Sequence, residues 1–342
     1  MEDWTDDQKA AFLALLTFGR ETWQRVKRLL GEKEILYWKR TDARPHDLKE
    51  ELPEAVEQLI QHSCARAAIQ CLYWMIHKKM AISVDIVYHA LMENLISEEP
   101  AYSMDQHACT ELIQWLQNNP EVHNDTLSQI EWSYLPLLDH HFGLAPKTLE
   151  RRLAEDPNFF CEVIRVIFRS DKEEKSSEEP SEKQKRVATN AHDILYKWRT
   201  PPGSKPNGSF DDAALMRWLE EVKRSCEASG HLRIALGQAG KVLAYSPADP
   251  SGLWIHKGAA EVLNEKEHDV MRTAFRVELF NQRGVFTWTV GEEERTLAAD
   301  FRRKADSVEK EGYFRLAASV RDLAASYERD ADREASRDPF DV

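Results

Sequence analysis

The stretch "PEAVEQLIQHSCARAAIQCLYWMIHKK", Pro53 to Lys79, decides the fold. Its apolar residues return every three or four positions, first Ala55, Leu59 and Ile60, then Ala67, Ala68, Cys71 and Leu72. That spacing places them on one face of a helix, whereas a strand would alternate with period two. Pro53 suits a first helical turn, where its missing N–H is not needed. The polar residues near Ser63 mark a turn, so the spacing predicts two helices, over 53–62 and 65–79. Their small alanines permit close approach, as in a tetratricopeptide-like hairpin.

The same spacing extends along nearly the whole chain and predicts an all-α protein: an irregular helical-repeat array of tetratricopeptide or HEAT type, in two halves. About twelve helices are expected. In the first half they cover 6–30, 53–62, 65–79, 83–96, 103–118, 126–141, 146–154 and 157–169. In the second half they cover 211–228, 231–245, 253–264 and 267–281, followed by a charged helical tail from Glu292 to Ala335. Thr5 with Gln8, Ser103 with Gln106, and Thr126 with Gln129 read as capping boxes, each pairing a hydroxyl with an amide three residues on. Between the halves, "SDKEEKSSEEPSEKQKR" holds no aromatic or branched apolar residue and cannot bury enough surface to order itself. The expected organisation is therefore a helical-repeat domain over 1–169, a disordered acidic linker over 170–186, and a helical domain over 187–342. "GVFTWTVGEEE", from Gly284 to Glu294, alternates like a strand and allows one short β-hairpin.

The 342 residues are 42% hydrophobic, enough for a sizeable core. Lys and Arg number 46 against 59 Asp and Glu, a net charge of −13, which disfavours nucleic acid as a partner. The five cysteines are an odd number without a CxxC pair, and signal neither a disulfide framework nor a structural zinc site. No apolar run reaches the roughly eighteen residues of a membrane span, and "MEDWTDDQKA" lacks a signal-peptide profile, so a cytoplasmic protein is expected. No motif calls for a cofactor.

Within "IEWSYLPLLDHHFGLAP", Ile130 to Pro146, Asp139, His140 and His141 are the residues closest to a metal or catalytic set. Adjacent helical histidines diverge by about 100°, whereas ligands on one face are spaced at i and i+4. The expectation is therefore a helix end with Gly143 as cap, the metal site being the alternative. His62, Cys64, Cys71 and His77 raise the question of a Cys–His nucleophile, against which the ordinary buried thiol is the simpler reading. "GQAGKVLAYS", Gly237 to Ser246, lacks the spacing and hydroxyl of a phosphate loop, and reads as small residues at a close helix crossing. Arg20, Arg25, Lys27 and Arg28, like Arg302, Arg303 and Lys304, are interleaved with acids and read as salt-bridged faces. The ten tryptophans read as core anchors, with an exposed minority marking a binding surface. Trp132, Tyr134, Trp254 and Trp288 are the partner-binding candidates.

Several stretches together resemble the C-terminal helical region of large bacterial signal-transducing ATPases of the STAND type. They are "TWQRVKRLLGEKEILYWKR" (Thr22–Arg40), "IEWSYLPLLD" (Ile130–Asp139) with "PKTLERRLAEDPNFFCEVIRVIF" (Pro146–Phe168), "NQRGVFTWTVGEEERTLAADFRRKA" (Asn281–Ala305) and "ASYERDADREA" (Ala325–Ala335). The resemblance implies a sensor or scaffold attached to a larger multidomain assembly, often in defence against phage. The chain has no recognisable ATPase motif, so ATP hydrolysis is not carried over. The expected function is a non-enzymatic scaffold or sensor binding a protein or peptide. The alternative is a metal-dependent hydrolase or nuclease built around Asp139, His140 and His141.

Overall fold

The computed structural model describes residues 3–41, 43, 45, 48, 50–97, 103–140, 143–172, 181–284 and 291–336, with only the backbone at 103–105. Among these the chain forms seventeen α-helices and no β-strand, an all-α helical array. It divides into two compact units, Met1–Thr148 and Leu149–Val342.

The first unit contains α1 (Asp6–Leu13), α2 (Arg20–Leu30), α3 (Ile35–Trp38), α4 (Leu52–Gln61), α5 (Ala65–His77), α6 (Val84–Asn94), α7 (Ser103–Asn118) and α8 (Asn124–Ser133). Helices α4 and α5 form the expected hairpin. Ala55, Ala65 and Ala68 are buried at their contact, and Leu52, Leu59, Ile69 and Leu72 fill the core beside them. Each such leucine contributes about 1.5–3 kcal/mol by leaving water. The turn uses Ser63 in the left-handed region, φ 56°, and closes α4 with a Cys64 N–H to Leu59 carbonyl bond of 2.8 Å. Helix α5 also packs on α6 and α7.

The expected helix over 6–30 is interrupted. Phe18 turns inward to meet Trp23 and Trp38, at centroid distances of 5.2 and 6.1 Å, and Gly19 is extended, so α1 stops and α2 restarts. Burying an aromatic ring outweighs a few helical hydrogen bonds that water can replace.

Helix α9 (Lys147–Glu155) contains the division. The second unit continues with α10 (Pro157–Ile167), α11 (Glu182–Lys197), α12 (Asp212–Ser229), α13 (Leu232–Leu243), α14 (Lys257–Asn264), α15 (Asp269–Asn281), α16 (Glu292–Lys310) and α17 (Phe314–Ala335). Phe160, Trp198 and Trp218 make an aromatic cluster where α10 meets α11 and α12, and the Trp218 indole donates to the Leu153 carbonyl at 3.0 Å. Helices α13 and α15 cross at Gly240, where a Cβ would lie 2.2 Å from the Met271 carbonyl oxygen. Helices α16 and α17 pair along their length, joined through Gly312 at φ 90°. The rings of Phe301, Tyr327 and Phe280 stack in series within this unit.

Two further sequence expectations fail locally for identifiable reasons. Helix α8 starts at Asn124, so Thr126 is inside it rather than capping it, and it ends at Ser133 rather than near 141. Pro136 cannot donate to residue 132 and its ring would clash there, so the chain tightens into a 3₁₀ turn over Leu135–Leu137. The described ends of the 170–186 stretch are ordered. Ser170 is buried and donates to the Ser229 carbonyl at 2.7 Å, while Ser181 and Gln184 form a capping box that starts α11. Residues 173–180, and residues 285–290 of the strand-like segment, lie outside the described residues.

Candidate functional site

The histidine stretch resolves into a tight turn. Asp139 and Leu144 face each other in an isolated antiparallel bridge. The Leu144 N–H donates to the Asp139 carbonyl at 3.2 Å, and the Gly143 N–H to the His140 carbonyl at 3.1 Å. Gly143 adopts φ 74°, open to glycine without strain. Asp139 and His140 are half-buried, and His141 lies outside the described residues. Among the described residues no three His, Cys, Asp or Glu side chains are arranged to hold a metal ion.

Tyr134 is buried, and its hydroxyl donates to the Leu91 carbonyl at 2.6 Å while accepting from Asn94 Nδ2 at 2.9 Å. Burial pushes its phenol pKa well up. Trp254 is half-buried, donates its indole N–H to the Lys304 carbonyl at 3.0 Å, and packs on Phe275. The Tyr134 side chain lies in the interior of its unit, and that of Trp254 keeps part of its surface exposed. Trp132 is half-buried, and Trp288 lies outside the described residues.

Cys64 is buried with its thiol directed to the Trp38 and His62 carbonyls at 3.4 and 3.5 Å. The His62 ring instead stacks on Trp38 and meets Glu34 at 3.2 Å. Cys71 is pushed up to about 12 by burial, the opposite of an activated thiol. The basic faces are salt-bridged: Arg20 to Glu54 at 2.7 Å, Arg302 to Glu328 at 2.5 Å, and Lys304 to Asp300 at 2.9 Å. Lys241, in the glycine-containing segment, donates to the Leu195 and Tyr196 carbonyls, both at 3.1 Å, and burial lowers its pKa.

A set that sequence reading passed over is the buried glutamates. Glu131 accepts from Gln117 Nε2 at 2.7 Å and from the Thr148 N–H at 3.0 Å. Glu150 accepts from the Arg199 N–H at 2.9 Å and the Thr200 hydroxyl at 3.1 Å. Glu278 binds the Tyr245 hydroxyl, Glu294 pairs with Arg283, and Glu334 accepts from the Gly291 N–H at 2.9 Å. Each fastens a loop or a helix start to a packed helix. Their sequence signal was weak, because acids in a charged helix look alike until burial distinguishes them.

A groove of about 470 Å³ lies between α15 and α17. Val277 and Phe280 line it while 51% and 40% exposed, and Leu323 forms its floor. On its rim Arg276 pairs with Asp322 at 3.2 Å, and the exposed Arg329 donates to the Ser326 hydroxyl at 2.9 Å. Valine and phenylalanine at i and i+3 on an outward helix face were readable as a pattern, though not as exposed. A second cleft of about 340 Å³, near Lys205, Arg217 and Trp218, carries charges of both signs.

No family model, curated protein or solved structure matched the chain. None of the helices among the described residues is long and apolar enough to cross a membrane.

Proposed function

We propose that this chain is a non-enzymatic helical scaffold or sensor module that docks a short amphipathic segment of a protein partner between α15 and α17. The observation that carries the reading is the outward placement of Val277 and Phe280 over a formed groove with a charged rim. Apolar side chains on one helix face, edged by polar groups, suit a helix-in-groove or extended-peptide contact. Covering both would remove the half of each side chain still exposed, worth about 0.6–1.5 kcal/mol apiece before ordering costs. The buried acids support the reading, since each is engaged in holding the frame. The resemblance to STAND-type helical regions extends the proposal to a sensor within a larger multidomain assembly, in antiviral defence.

Selection of displayed helical peptides against the intact chain tests this. The proposal expects enriched peptides with apolar residues at i and i+3 or i+4, whose binding weakens at least tenfold, about 1.4 kcal/mol, in V277E. Absence of any enriched class, or binding indifferent to both V277E and F280E in folded protein, would refute it.

A further inference from the structure

Two cysteines outside the groove carry an independent inference. Cys161 on α10 and Cys226 on α12 are separated by 65 residues in sequence, yet their sulfurs lie 3.3 Å apart, with the Cys226 thiol donating to Cys161. Both side chains are fully buried, and the two helices pack directly. A disulfide bond is about 2.05 Å long, so an approach of just over 1 Å separates the pair from a bond. The buried Cys161 sulfur is bordered by side chains that reach the surface. Ser225 hydrogen-bonds the Cys161 sulfur and accepts from Arg165 Nη2 at 2.6 Å; Ser225 is half-buried and Arg165 exposed. Of the cysteines in the first unit, Cys64 faces the Trp38 and His62 carbonyls, Cys109 accepts from Asn94 Nδ2, and Cys71 has its thiol form favoured by burial.

We infer that Cys161 and Cys226 are a reversible thiol–disulfide modification site, oxidised by hydrogen peroxide, that locks α10 to α12. The Cys226 thiol and the Arg165 guanidinium both favour the thiolate of Cys161, lowering its pKa to about 7, so Cys161 is the attacking sulfur. Its electron pair attacks one peroxide oxygen, the O–O bond breaks, and hydroxide leaves, giving a sulfenic acid. The Cys226 sulfur then attacks the Cys161 sulfur as its proton passes to solvent. The S–S bond forms, the S–O bond breaks, and hydroxide departs to be protonated. Two thiols and one peroxide become one disulfide and two waters, and a dithiol reductant reverses the change.

The link closes a 65-residue loop, so oxidation raises the melting temperature of the second unit by roughly 10 °C. The test treats the folded full chain with hydrogen peroxide, quenches free thiols, and follows intact mass, linked peptides and melting. The inference expects a 161–226 linked peptide, higher melting, and reversal by dithiothreitol, all retained in a variant with C64S, C71S and C109S. Accumulation of sulfinic or sulfonic acid on Cys161 without the link would overturn it. So would unreacted Cys161 and Cys226 in folded wild-type protein, an outcome that does not depend on any cysteine variant folding.

Discussion

Removing the Glu131 carboxylate tests whether the buried glutamates are structural fasteners. Glu131 has no exposed surface, and its two oxygens accept from Gln117 Nε2 at 2.7 Å and from the Thr148 N–H at 3.1 and 3.0 Å. Thr148 lies in the first turn of α9, where backbone N–H groups have no helical acceptor and the helix dipole favours a carboxylate. E131A strands a buried backbone donor, for about 1–3 kcal/mol, and removes the helix-terminus interaction, for up to about 2 kcal/mol. Gln117 keeps its bond to the Ala145 carbonyl at 2.8 Å, which limits the loss on that side. A total of about 3–5 kcal/mol follows, a fall in melting temperature of roughly 8–15 °C for a unit of this size. E131Q retains one acceptor oxygen at the Oε1 position, and its loss should be about 1–2 kcal/mol. Urea unfolding of wild type, E131A and E131Q, with E121A at an exposed site as control, measures the series. The reasoning is refuted if E131A stays within about 1 kcal/mol of wild type, or if E131Q is as damaging as E131A.

Three further perturbations probe packing and titration. G240A drives a Cβ into the Met271 backbone and should lose about 1–3 kcal/mol, whereas G237A, whose nearest neighbour is Val270 Cγ1 at 3.8 Å, should gain about 0.5–1 kcal/mol by helix propensity; denaturant midpoints separate the two signs. Y134F leaves the Leu91 carbonyl and Asn94 amide without the hydroxyl they share, and should lower stability by about 1–2 kcal/mol with unchanged helical circular dichroism. Burial holds His268 below its ordinary value of 6.5, and its Nδ1 lies 2.6 Å from the Val262 carbonyl. The unfolded chain therefore takes up the proton first, so the stability His268 supplies is complete above pH 6.5 and is lost as pH falls through its lowered folded pKa. H268Q should flatten the fall in stability between pH 7 and pH 5 by up to about 1.4 kcal/mol per pH unit, read from urea midpoints at each pH.

What the sequence determined by itself was the all-α class and the position of most helices, because helical periodicity is local and the α4–α5 hairpin carries its alanines, proline and turn within 27 residues. The Thr5 cap and the close crossing at Gly240 were legible for the same reason, each being a property of a residue type in a short window. Where tertiary burial opposed local pattern, tertiary burial won: Phe18 broke a continuous helical stretch to reach Trp23 and Trp38. Pro136 ended α8 before the histidines by a local effect, its missing N–H and its ring. The capping box at Ser181 was present in the sequence but hidden by the charged run around it. The candidate site depended still more on the fold. Tyr134 and Trp254 read alike as large amphipathic side chains, yet only their neighbours put Tyr134 inside and left Trp254 half-buried, while Val277 and Phe280 became a surface once α17 left them uncovered. Glu131 and the Cys161–Cys226 pair join groups far apart in the chain, and a single sequence holds periodicity but not distance.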